Sequence, residues 1–224
     1  MQVEEFIKTL AEEFEKNSDP AKAFHQKAYL KNKFKFYGIT TPERREIQKP
    51  FLVKDHLPEK RYVDNIVMEL WSRPHREFHY FAQELAFKYR RQIEKEDIVL
   101  YEYMVINNSW WDTVDFISTK LMGDYFKKYP EQIEKYIKKW LASGNMWLQR
   151  SALLFQLKYK KDLDEELMAY TINNLLGSKE FFINKAIGWL LREHSRTNPD
   201  WVIEFTDKTE LSYLSKREAL RLIM

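Results

Sequence analysis

Apolar residues recur along this chain at the spacing of helix faces. Near its start Phe6, Leu10 and Phe14 fall four apart, so one face of a helix carries all three. Asp19-Pro20 opens a second helix, with Pro at the first helical position, where a missing N–H costs nothing. Gly38 is expected to end that helix and Thr41-Pro42-Glu43 to open the next. Pro58, Pro74, Pro130 and Pro199 punctuate the chain similarly, and Gly144 and Gly177 sit where helices should stop. Ser109-Trp110-Trp111-Asp112 reads as a capping box, Ser at the cap and the acid three residues on. No strong alternating strand pattern occurs. The pattern predicts about twelve to fourteen helices joined by short loops.

The helices resemble one another. FHYFAQELAFKY (78–89) aligns with LQRSALLFQLKY (148–159) at an offset of 70, matching Ala82 to Ala152 and Lys88-Tyr89 to Lys158-Tyr159. A further 34 residues on, FINKAIGWLLRE (182–193) keeps Ala186 and Arg192 in register. A period near 35 in an all-helical chain means stacked helical hairpins, with a small residue at the repeated position letting neighbours approach. The expected fold is an all-α solenoid of about six hairpins whose concave face binds the ligand.

Composition narrows the class. With 224 residues, 44% of them apolar, the chain can fill one core, and a single domain over 1–224 is expected. Only 5 Gly and 7 Pro argue against a turn-rich β protein, and the lack of Cys excludes disulfides, thiolate zinc sites and Cys nucleophiles. The acids in MQVEEFIKTLAEEFEK do not suit a signal peptide, and no apolar run approaches the roughly 20 residues of a spanning helix, so a cytoplasmic protein is expected. Net charge is only +3, but it is uneven: residues 31–54 hold seven bases against two acids, and residues 120–161 ten against three. Such stretches suit either solvated helix faces or a stripe for a polyanion.

Three segments carry candidate chemistry. In SWWDTVD (109–115), Trp111 and Asp115 are four apart and share a helix face, while Trp110 points toward the core. The pair is either a packed ring beside a surface acid, or an electron-rich surface and an anion suited to a developing cation. In WLQRSALLFQLKY (147–159), Arg150 and Lys158 are eight apart, expected on one face as solvated charges or phosphate clamps. In AIGWLLRE (186–193), Trp189 and Arg192 are neighbours, and Gly188 is tolerable where something approaches the backbone. His75 and His79 would share a helix face as a surface or boundary pair; no third metal ligand accompanies them.

SWWDTVD, NMWLQRSALLFQLKYK, SKEFFINKAIGWLLRE, YGITTPERR and LSKREA together resemble the bacterial DNA alkylation-repair glycosylases of the AlkD type, in one register from about Tyr29 onward. The resemblance implies a HEAT-like α-solenoid with a concave, basic DNA-binding face. It implies excision of cationic N3- and N7-alkylated purines, such as 3-methyladenine and 7-methylguanine, from double-stranded DNA, without metal, cofactor or obligatory protein partner. By position it assigns Asp115, Trp111 and Trp189 to the catalytic cluster at the deoxyribose. Arg150 and Arg192 become phosphate ligands, Tyr29 an aromatic near the lesion, and Lys158, Lys216 and Arg217 further backbone contacts. Thr40 stands where the family carries Gln. The contrasting expectation is a non-catalytic helical-repeat protein that binds distorted DNA.

Overall fold

The computed structural model describes residues 3–223, which are helical almost throughout. They form two compact units, Met1–Glu94 and Lys95–Met224. The first holds α1 (Val3–Lys16), α2 (Pro20–Tyr29), α3 (Thr41–Gln48), α4 (Lys60–Ser72) and α5 (Arg76–Lys88). The second holds α6 (Asp97–Ile106), α7 (Trp111–Phe116), α8 (Gly123–Lys128), α9 (Ile133–Ala142), α10 (Met146–Leu154), α11 (Glu165–Asn173), α12 (Phe181–His194), α13 (Pro199–Lys208) and α14 (Tyr213–Leu220). Among the described residues there is no strand, only an isolated bridge between Lys35 and His75.

In the first unit the predicted stripe of α1 is its core: Phe6, Leu10 and Phe14 are buried, with Phe6 against Phe81 and Phe14 against Phe78 of α5. Asp19 caps α2 through Oδ1, which accepts from the N–H groups of Ala21 and Lys22. That helix ends at Tyr29, not at Gly38, because Lys31 and Asn32 turn left-handed at φ 57° and 59°. Gly38 instead lies in the following loop at φ 91°, where a Cβ would fall 2.0 Å from the Asp19 carbonyl oxygen. The buried Glu77 carboxylate holds this loop, accepting from the backbone N–H groups of Tyr37, Gly38 and Ile39. Thr40 caps α3, its N–H and hydroxyl both donating to Glu43. Arg44 of the TPERR string points inward to Glu84 at 3.0 Å and to Gln48, whereas Arg45 is exposed.

His75 and His79 do not share a helix face as expected. His75 precedes α5 and stacks on Tyr37 at 4.0 Å; His79 is fully buried, bonded to Arg76 and to the Arg73 carbonyl. The helix starts one residue too late for a shared face.

In the second unit α10, α11, α12, α13 and α14 share one core, including Leu153, Met168, Ile187, Val202 and Ala219. The repeated Ala82, Ala152 and Ala186 are all buried. Gly188 is where α14 meets α12: a Cβ there would lie 2.5 Å from the Cβ of Glu218 and 2.9 Å from the Ser215 carbonyl oxygen. Ser109 is not the cap of α7. Its hydroxyl donates back to the Val105 carbonyl of α6, and Trp110 takes the cap position without a side-chain bond. Beyond α7 the backbone widens into a π-helical turn, Ile117–Met122, before α8. Arg150 and Lys158 lose their expected common face because α10 ends at Leu154.

Candidate functional site

Two tightly held charges of the second unit are Asp115 of α7 and Arg150 of α10. Arg150 Nε donates to Asp115 Oδ1 at 2.7 Å and Nη2 to Oδ2 at 2.9 Å, a bidentate fork that fixes the carboxylate plane. Arg150 Nη1 donates to the Phe182 carbonyl at the start of α12, so the guanidinium links three helices. The Arg150 side chain is 5% exposed and that of Asp115 18%. The Asp115 side chain is therefore partly open to solvent while that of its partner is not. The Ser118 hydroxyl, within the π-helical turn that begins two residues after Asp115, meets the Ser151 hydroxyl of α10 at 2.8 Å. Such turns recur at functional sites.

Opposing influences act on the Asp115 carboxyl. Burial pushes its carboxyl above the usual aspartate range, and the nearby Asp112 charge adds to the rise. The Arg150 hydrogen bonds and charge oppose this.

One aromatic ring, Phe182, lies beside the Arg150 guanidinium. Trp110, expected in the core, is half-buried in a cluster with Trp147 at 5.7 Å and Phe182 at 5.2 Å, and the Arg150 guanidinium lies 5.9 Å from the Phe182 ring centre. Trp111 is half-buried one turn before Asp115 on the same face of α7. Trp189 is half-buried against the core of the unit. It lies seven residues beyond Phe182 on α12, two turns on and on the same face.

The remaining expected DNA ligands have partners. Arg192 binds Glu218, which also takes Lys185 at 3.0 Å. Lys158 pairs with Glu193 and Lys216 with Asp207, both at 3.2 Å. Exposed Arg217 lies over the Tyr213 ring. Tyr29 belongs to the first unit and is 70% exposed. The Asp115–Arg150 pairing was not read from the sequence, yet a signal existed. The two residues stand 35 apart, as do Lys158 and Glu193. Both separations are close to the repeat period, so each pair joins successive repeats.

Fold and site together define an all-α protein of repeated helices, in which one carboxylate is braced by a buried arginine. The sequence pattern of the DNA alkylation repair enzymes matches residues 10–223, and the chain belongs to that family. The solved structure of a predicted DNA alkylation repair enzyme from Enterococcus faecalis is similar, with a TM-score of 0.85 and 32% identity over 91% of this chain and 95% of that one. The potassium/proton antiporter CemA of Marchantia polymorpha is 28% identical over 115 residues, half of this chain but only 24% of that protein. No helix among the described residues is long and apolar enough to cross a membrane.

Proposed function

We propose that this DNA alkylation repair enzyme is a monofunctional DNA glycosylase, acting through residues 1–224 as one HEAT-like repeat domain. Its reaction is hydrolysis of the N-glycosidic bond of cationic N3- and N7-alkylated purines in duplex DNA. The observation that carries this reading is the geometry of Asp115, on a partly exposed side chain whose carboxylate is held in plane by Arg150 at 2.7 and 2.9 Å.

Glycoside hydrolysis passes through an oxocarbenium-like sugar, and most glycosidases pair a carboxylate with a carboxylic acid that protonates the leaving group. Asp115 is paired with an arginine and not with a carboxylic acid. A 7-alkylguanine or 3-alkyladenine needs none. As the C1′–N bond breaks, its electron pair passes to the cationic purine, which departs neutral. Asp115 stabilises the sugar cation, orients the water that attacks C1′, and accepts the proton that water loses. Trp111 and Trp189 offer π faces to the same positive charge, on the order of 0.5–2 kcal/mol each. That is at most about one to one-and-a-half powers of ten per ring, so the charge of the lesion supplies much of the reactivity. Arg150, buried and occupied, serves as the positioning residue for Asp115.

Incubation with methylated duplex DNA, followed by chromatography for free 7-methylguanine and 3-methyladenine, tests the reading. Release by the parent protein is expected, with a loss of tenfold or more in Asp115→Asn at little cost in duplex affinity. Duplex binding without base release would leave a non-catalytic DNA-binding protein instead.

A further inference from the structure

From Pro20 to Pro42 the chain carries five lysines and no acid. The structure concentrates this segment's exposed apolar surface on α2. None of the residues of that helix is buried. At 100° per residue, Lys27, Phe24, Ala28, Ala21, His25 and Tyr29 span about 200° of the helix, and all six are exposed. The opposite arc is engaged: Gln26 Nε2 donates to the Ile39 carbonyl, and Lys22 pairs with Glu43. The flanking acids are thereby turned away from the exposed arc, Asp19 capping the helix and Glu43 bound to Lys22 and Thr40.

The composition of this arc is unusual for a solvated face. Helix α1 presents Glu4, Glu5, Lys8, Glu12, Glu15 and Lys16 to water, both signs mixed. By contrast α2 presents a phenylalanine 71% exposed, a tyrosine 70% exposed, two alanines and a lysine. The turn that follows adds exposed Lys31, held left-handed at φ 57°. A lysine in that conformation is uncommon and mildly strained; the turn keeps Lys31 next to the end of the helix. Exposed rings flanked by cations, with acids excluded, match a surface of stacked bases between phosphates. A protein partner would be met equally well by acids on the rim.

We propose that the exposed face of α2 is a DNA-contact site in its own right. Phe24 enters the minor groove of the duplex and stacks at a base step, and Lys27 and Lys31 bind flanking phosphates. The proposal rests on duplex DNA being the substrate and adds a place where the helix is gripped apart from the chemistry at Asp115.

The test uses the full chain and an undamaged duplex, with 2-aminopurine placed at successive steps. On binding by the parent, fluorescence is expected to rise at one step and not at the others. In Phe24→Ala that rise disappears and affinity falls about tenfold. In the double variant Lys27→Ser/Lys31→Ser, the slope of log affinity against log salt falls by about two. All three positions are exposed, so the variants keep the fold. Unchanged fluorescence, affinity and slope in these variants would overturn the α2 site, even with base release intact. Failure of the parent to bind duplex would overturn it as well. Changed binding in the α2 variants with no base release from methylated DNA by the parent would instead sink the glycosylase reading and leave the α2 site standing.

Discussion

Asp115 balances two opposing effects on one carboxyl. Burial raises its pKa, and only Arg150 pulls it back. In the proposed reaction Asp115 acts as the anion, so activity should be lost as pH falls through the pKa of this group. The acid limb of the pH–rate profile is therefore expected above the ordinary aspartate range. In Arg150→Met both influences left on the carboxyl, burial and Asp112, push upward. The limb should then move to higher pH, and the rate near neutrality should fall by about tenfold or more. Single-turnover release of 7-methylguanine across pH measures both quantities, and a limb that stays in place would separate Arg150 from the ionisation of Asp115. Removing Arg150 also leaves a buried charge without its partner, which proteins tolerate poorly, so protonation of Asp115 is the expected relief.

Helix boundaries were legible where a residue type had one dominant physical preference. Pro20 and Pro199 begin helices, and Gly144 and Gly177 turn left-handed just past them. Boundaries set by hydrogen bonds between elements were not. Ser109 fits a cap by type, but the Val105 carbonyl claims its hydroxyl. The run from Arg150 to Lys158 reads as one helix, yet α10 stops at Leu154. The π-helical turn after Asp115 left no sequence mark. Gly188 is a case where two magnitudes decide the sign. Within α12 an alanine would gain roughly 1 kcal/mol in helix propensity. Its Cβ would also collide with the Glu218 Cβ and the Ser215 backbone, which cannot swing aside. Overpacking costs about 1–3 kcal/mol, so Gly188→Ala should destabilise. Thermal unfolding should show Tm lower by several degrees; a Tm equal to or above the parent would mean that α14 can shift.

Charge over the whole molecule is nearly balanced at +3, and the basic stretches prove less free than their counts suggest. Lys158, Lys216 and Lys139 each bind a carboxylate. DNA binding through such side chains, as proposed, would exchange internal partners for phosphates, and affinity should then be modest and salt-dependent. Three such contacts, by Lys158, Lys216 and Arg217, would weaken plain-duplex binding roughly fortyfold between 50 and 200 mM salt. A titration series by fluorescence anisotropy would show it, and salt-independent affinity would rule these side chains out as phosphate ligands.

Periodicity alone determined the all-helical class, the repeat near 35 and the placement of Trp111 beside Asp115, because each depends only on neighbours along one helix. The repeat even encodes the 35-residue spacing of Asp115 and Arg150. Only the tertiary structure decided that Arg150 turns inward to brace the carboxylate, that His79 and Arg44 are buried, and that Phe24 faces water. Those outcomes depend on which helix packs on which face, and on competition among buried polar groups for partners, neither of which is a property of any single stretch of chain.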